Sequence, residues 1–142
     1  MDEDAVGERL LGCALRVHRA LGPGLLESAY EACLAFELSN AGIEHQRQVS
    51  LPIVYEGTRI DLGYRLDLVV EDKVIVELKA VDALTDLHRA QLLSYLKLGR
   101  HRVGYLLNFN VKILRNGICR LANGFRPIPD RSVCLRDLRG SP

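Results

Sequence analysis

The chain predicts a mixed α/β (α+β) protein, with a central sheet that has both parallel and antiparallel neighbours and helices packed against it. Three observations predict this class. Two helical segments open the sequence, two aliphatic strand-like runs joined by a short polar turn lie at its centre, and a further helix separates these from a continuous apolar strand. The order reads α-α-β-β-β-β-α-β-β-β, and a helix between two interior strands is the usual right-handed connection between parallel neighbours.

The elements follow from local patterning. Val6, Leu10, Cys13, Val17 and Leu21 recur at helical spacing from about Asp4 to Ala20, and Gly22-Pro23-Gly24 stops them. A second helix is expected from about Leu26 to Ala41, with Glu27 in the first turn, where a carboxylate complements the helix dipole. Val49 to Tyr55 reads as a strand and Thr58 to Leu62 as its partner across Glu56-Gly57, and Pro52 places the first at a sheet edge. Thr85 to Leu98 is helical and nearly apolar all round, which predicts burial on more than one side. Val103 to Phe109 reads as an interior strand, and Asn116-Gly117 signals a hairpin between Ile113-Leu114 and Ile118-Cys119.

The central pair of strands carries the chemistry. Tyr64 to Val70 and Val74 to Val81 flank Glu71-Asp72-Lys73, and a three-residue loop sets Asp67 opposite Glu77 and Arg65 opposite Lys79. One face is then Tyr64, Leu66, Leu68, Val70, Val74, Val76, Leu78 and Ala80, wholly apolar and therefore core. The other gathers Arg65, Asp67, Glu77 and Lys79. Two carboxylates directly opposite destabilise a ladder unless something compensates. A divalent cation does so, and so does a solvated ladder of salt bridges; the hairpin alone admits both.

Composition narrows the class of partner. The 142 residues suit one domain, and 48% hydrophobic with 26% charged residues is ordinary for a globular protein. A formal net charge of +1 excludes a wholesale polycation, so nucleic-acid contacts would need basic residues grouped locally. Cys13, Cys33, Cys119 and Cys134 lack metal or redox spacing and read as reduced thiols. Met1-Asp2-Glu3-Asp4 does not fit the basic start of a secretion signal, and no apolar run reaches a membrane span of about 18 residues. A cytoplasmic setting without a membrane partner is expected.

Asp67, Glu77 and Lys79 resemble the core motif of the PD-(D/E)XK nuclease superfamily: an Asp, a short hairpin, then Glu-x-Lys. Gly24-Leu25-Leu26-Glu27-Ser28-Ala29-Tyr30, Asp67-Leu68-Val69-Val70, Val76-Glu77-Leu78-Lys79-Ala80-Val81, Gln91-Leu92-Leu93-Ser94-Tyr95-Leu96 and Leu107-Asn108-Phe109 together resemble its GxxExxxY family, from about Leu10 to Gly124. Tyr30 follows Glu27 by three residues where that family's name implies four. The resemblance implies a restriction-endonuclease-like core over 1–124, and the tail 125–142, rich in proline and arginine, is expected to be poorly ordered.

It also implies a metal-dependent nuclease, acting on DNA in preference to RNA, with Mg²⁺ or Mn²⁺ as cofactor. Asp67, Glu77 and the Leu78 carbonyl would hold the ion, and Glu27 would complete the site from the N-terminal helices, with Glu31 one turn on as the lesser candidate. Mg²⁺ suits this set, since it takes oxygen ligands and usually only one or two carboxylates. Lys79 would orient the attacking water; a lysine ammonium is a poor base at neutral pH. Its bland role is as counter-ion to Glu77. Gln91 and Tyr95 match the family's Gln-x-x-x-Tyr and would support the site. His88 on the same helical face and Arg65 are candidate substrate contacts, each with a structural alternative. The competing function is a non-catalytic nucleic-acid-binding or partner protein that keeps the fold. Domain size suggests a homodimer.

Overall fold

The computed structural model describes residues 1–124 and 133–134. It forms three layers, with a six-stranded sheet between a pair of helices on one face and a single helix on the other. Helix α1 spans Glu3–Leu21 and α2 Glu27–Asn40. The strands are β1 (His45–Ser50), β2 (Ile53–Tyr55), β3 (Thr58–Ile60), β4 (Arg65–Val70) and β5 (Val74–Lys79). Helix α3 (Asp86–Gly99), β6 (Val103–Asn108), a 3-10 turn (Leu114–Gly117), β7 (Ile118–Ala122) and β8 (Val133–Cys134) follow. The sheet order is β1-β4-β5-β6-β7-β8. β5 and β6 are parallel and joined through α3, and the other neighbours are antiparallel. The mixed α/β class holds.

The helices start where their caps allow. Asp2 accepts the Ala5 amide at 2.9 Å ahead of α1, and Glu3 and Asp4 favour its positive end. Thr85 and His88 form a reciprocal capping box at the start of α3. The core divides in two. Val6, Leu10, Val17, Leu34 and Leu38 pack on Leu68, Val70, Val74, Val76 and Leu78, while Leu92, Tyr95 and Leu96 of α3 pack on Val69, Ile75 and Leu106. A Cβ at Gly104 would sit 3.0 Å from both Leu92 Cδ1 and Leu96 Cδ2, so this position lets α3 lie close on β6.

Four expectations are corrected. The predicted strand Val49–Tyr55 is two strands in different sheets: among the described residues β1 is an edge of the main sheet, and β2 pairs with β3 in a separate hairpin. Pro52, which has no amide hydrogen to give a ladder, lies at the break. Asn116-Gly117 does not turn a hairpin but ends the 3-10 turn, because Leu114 is drawn into the core and a Cβ at Gly117 would overlap the Asn108 carbonyl oxygen. Helix α3 is buried on one side only, with Leu87 and Leu98 exposed. Leu66 packs with the α3 cluster although Leu68 packs with the opposite one, so β4 does not keep a single apolar face. For the tail, the strand pairing of 133–134 aside, the expectation lies outside the described residues.

Gly117 yields a direct test of this packing. A Gly117→Ala substitution forces a methyl group against backbone, which cannot swing aside as a side chain would. We expect a loss of about 1–3 kcal/mol, measured by urea denaturation, with no change in the denaturant slope.

Candidate active site

The site is built where β4 and β5 part. Their ladder keeps the expected register, with Val70 opposite Val74, Val69 opposite Ile75 and Leu68 opposite Val76, and it ends there. The turn that sets this register holds Glu71 and Asp72 at φ of 52° and 55°, the left-handed geometry that suits a tight hairpin. Beyond Leu68, side chains replace backbone as partners. The Asp67 amide donates to Glu77 Oε2 at 2.8 Å, and the Leu78 amide donates to Asp67 Oδ2 at 2.8 Å. Each carboxylate thus grips the other strand.

Glu77 is withdrawn from water, and Asp67 is half-buried beside it. Glu77 is 6% exposed. Burial first, and then the Asp67 charge, push its carboxyl up to about 8; the Asp67 amide and the Lys79 charge work in the opposite direction. Asp67 is also held above the usual carboxylate range, mainly by burial, with the charges of Glu31 and Glu27 adding to the rise and the Leu78 amide opposing it. Burial and the nearby Glu77 raise the Tyr95 hydroxyl, whose hydrogen bond with the Gln91 side chain opposes the shift. Charges of one sign accumulate here with too few partners.

The surrounding elements supply further groups. Glu27 is exposed in the first turn of α2, and its charge reaches both Asp67 and Glu77. Glu31, one turn on, is buried: its two oxygens accept from Arg47 Nε at 3.0 Å and Gln48 Nε2 at 2.7 Å. Gln48 Nε2 also lies 3.4 Å from Asp67 Oδ1. Tyr64 tilts against Tyr95, with ring centroids 6.3 Å apart. Among the described residues no three His, Cys, Asp or Glu side chains converge into a metal cluster. The cradle is therefore two carboxylates, and its donor set suits a hard cation that brings waters or phosphate oxygens as its other ligands.

The other sequence candidates separate into near and far. Lys79 ends β5, half-buried beside Glu77. Arg65 donates to the Gln48 carbonyl at 3.4 Å rather than to Asp67. Gln91 is exposed rather than buried, so its expected need for a buried partner does not arise, yet it faces Tyr95. His88 accepts the Thr85 amide on Nδ1 at 3.1 Å, which commits that nitrogen to capping α3. Asn108 is fully engaged with Val81 and the Asn110 amide. Lys97, Arg100, His101 and Arg102 form a basic cluster at the end of α3, at the other end of β6 from Asn108, which pairs with Lys79; five residues of strand put it about 17 Å from the acidic end. Sequence reasoning missed Arg47 and Gln48, because β1 is an edge strand with polar residues on both sides and carries no periodic signal.

A family model described as the PD-(D/E)XK nuclease superfamily matches residues 4–121 of the chain. No curated protein and no solved structure matches it significantly.

The charge crowding has a pH signature. Folded Glu77 keeps its proton up to about pH 8, whereas in the unfolded chain it loses it near 4.5. Its contribution to stability is therefore full below about pH 4.5 and is lost as pH rises through 8. In EDTA, the melting temperature of the wild type should fall from pH 5.5 to 8.5, and that of Glu77→Gln should fall less. Thermal scans of both proteins across this range check it, and parallel curves would contradict it.

Proposed function

The chain belongs to the PD-(D/E)XK nuclease superfamily, and on that footing we propose that it is a Mg²⁺- or Mn²⁺-dependent nuclease that hydrolyses phosphodiester bonds in DNA in preference to RNA. Its Gly24–Tyr30, Asp67–Val70, Val76–Val81, Gln91–Leu96 and Leu107–Phe109 segments make the GxxExxxY family our finer placement. One observation carries the reading. A buried carboxylate, Glu77, and a half-buried one, Asp67, on adjacent strands are fixed by each other's backbone, carry raised pKa values, and have no described cation between them except the neighbouring Lys79.

In this reading Asp67, Glu77 and the Leu78 carbonyl hold the cation, with Glu27 reaching it directly or through water. A divalent cation there supplies Lewis acidity, making a water acidic enough to attack at neutral pH and offsetting charge on the phosphoryl oxygens. The protein's own groups do the rest. Asp67 and Glu77 cannot swing away from the site, because each would have to break a 2.8 Å bond to the opposite strand. The Lys79 ammonium lies on the same strand two residues beyond Glu77, placed to orient the attacking water and to hold charge as it develops. Tyr95, steadied by Gln91, walls the site and excludes water from its α3 side. Arg65 and His88 are assigned to the approaching substrate. The chain is small for gripping a duplex alone, so we assign it a homodimer; light scattering should give about twice 15.9 kDa, and a monomer mass at micromolar concentration would count against this.

A non-catalytic nucleic-acid-binding protein of the same fold is the second reading. The complete Asp67, Glu77 and Lys79 set disfavours it, since an acidic cradle hinders binding to phosphates unless a cation is used there. Cleavage and gel-shift assays at fixed salt, with Mg²⁺, Mn²⁺ or EDTA, separate the two. Glu77→Gln and Asp67→Asn should abolish cleavage and leave salt-sensitive binding in place. Lys79→Met should lower the rate by about 10²–10³-fold with metal affinity nearly unchanged. Equal cleavage in EDTA, or full activity of Lys79→Met, would defeat the proposal.

A further inference from the structure

Resting on the metal-site reading above, we propose that Gln48 is a positioning residue, which fixes the Asp67 carboxylate for the cation and is itself anchored by Glu31 and Arg47. The first observation is in the backbone. Gln48 has φ of 53° within β1, a left-handed geometry uncommon outside glycine. The β1–β4 ladder pairs Arg47 with Leu68 and Val49 with Leu66 but steps over Gln48 and Asp67, with no change of register. The kink is local, and it falls at the residue opposite the site aspartate.

The second observation is in the side chain. Gln48 Nε2 lies 2.7 Å from Glu31 Oε1 and 3.4 Å from Asp67 Oδ1, so its two amide hydrogens span two carboxylates on different elements. Arg47 Nε takes the other oxygen of Glu31 at 3.0 Å, which prevents the anchor from rotating. The short bond is to Glu31 and the long one to Asp67. Gln48 is therefore held firmly from behind and presents its second hydrogen to the oxygen of Asp67 that the Leu78 amide does not use.

The residue type suits this role. An arginine or lysine at position 48 would neutralise Asp67 and compete with a cation, and a carboxylate would add a further negative charge to the cluster. A neutral amide orients Asp67 and separates it from Glu31 while leaving its charge available. Partners of this kind, one step removed from a metal, commonly govern affinity through ligand orientation. The arrangement also gives Glu31 a different part from Glu27: it anchors the amide, and Glu27 stays free to face the site.

Gln48→Gly is the informative variant, because glycine adopts a φ of 53° without strain and only the side chain is lost. Two measurements decide. In metal-free protein, hydrogen exchange of the Leu78 amide should quicken in the variant, because a loosened Asp67 holds it less well, while exchange at Ile75 and Val76 stays as in the wild type. By calorimetry, at a temperature where both proteins are fully folded, Mn²⁺ should bind the variant about tenfold more weakly. Unchanged exchange at Leu78, or unchanged affinity in a protein that does bind Mn²⁺, overturns the proposal. A wild type that binds no Mn²⁺ overturns the metal reading instead, and the Leu78 measurement then decides alone for Gln48.

Discussion

The reciprocal grip between β4 and β5 is the constraint on which the rest of the site depends. In an ordinary antiparallel pair, amides bond carbonyls along the whole ladder. Here the ladder stops at Leu68 and Val76, and the next two bonds run from the Asp67 amide to Glu77 and from the Leu78 amide to Asp67. The strands can part without leaving these amides unsatisfied, and the opening is lined with charge. This works in one register only. A slip of one residue would turn Glu77 toward α1 and α2, among Leu10, Leu34 and Leu38, and expel Val74 and Val76 from that layer. The left-handed turn at Glu71 and Asp72 and the parallel ladder to β6, which runs through Lys79 and Asn108, hold that register from both ends.

The helical layers carry the site's other groups to it. Tyr30 stacks on Phe109 with centroids 4.5 Å apart, and its hydroxyl donates to the Gly22 carbonyl at 2.6 Å while accepting the Leu25 amide at 3.1 Å. Phe109 in turn bonds the Lys79 carbonyl through its amide. One tyrosine thus ties the start of α2, where Glu27 and Glu31 stand, to the strand end that bears Lys79. From the opposite face, the close seat of α3 on Gly104 brings Tyr95 over Glu77. The core and the site are therefore not separable: the packing of both layers sets the distances between charges.

Much of this was legible in the sequence, for identifiable reasons. The Asp67–Glu77 register could be read because a short polar loop between two aliphatic runs leaves few ways to pair them, and α1 and α2 showed clear apolar spacing. The failures have physical causes too. Asn116-Gly117 carries a hairpin signal, but the burial of Leu114 and the tight approach of Gly117 to Asn108 outweigh turn propensity. Val49 to Tyr55 alternates well enough for one strand, and only the missing amide hydrogen of Pro52 hints at the break. Gln48 gave no signal at all. Its part in the site comes from a backbone kink and from neighbours distant in sequence, Glu31 and Asp67, and neither spacing nor composition encodes that meeting.

The charge pattern has a consequence for the order of events in the proposed reaction. Glu27, Glu31, Asp67 and Glu77 cluster in a chain whose net charge is only +1, and the described basic cluster at the end of α3 lies at the far end of β6. A polyanionic substrate meets repulsion at the cradle itself and attraction elsewhere. Protonation of Glu77 relieves part of that repulsion, but it removes the charge a cation needs. On that proposal cation and proton would compete for Glu77, whose burial raises its affinity for the proton. Under the proposed function, Asp67 and Glu77 would hold a divalent ion jointly, and its double charge would offset both carboxylates where a shared proton offsets a single charge. On the proposed function, a cation would therefore bind before phosphate makes productive contact, because only then is the repulsion at the cradle relieved.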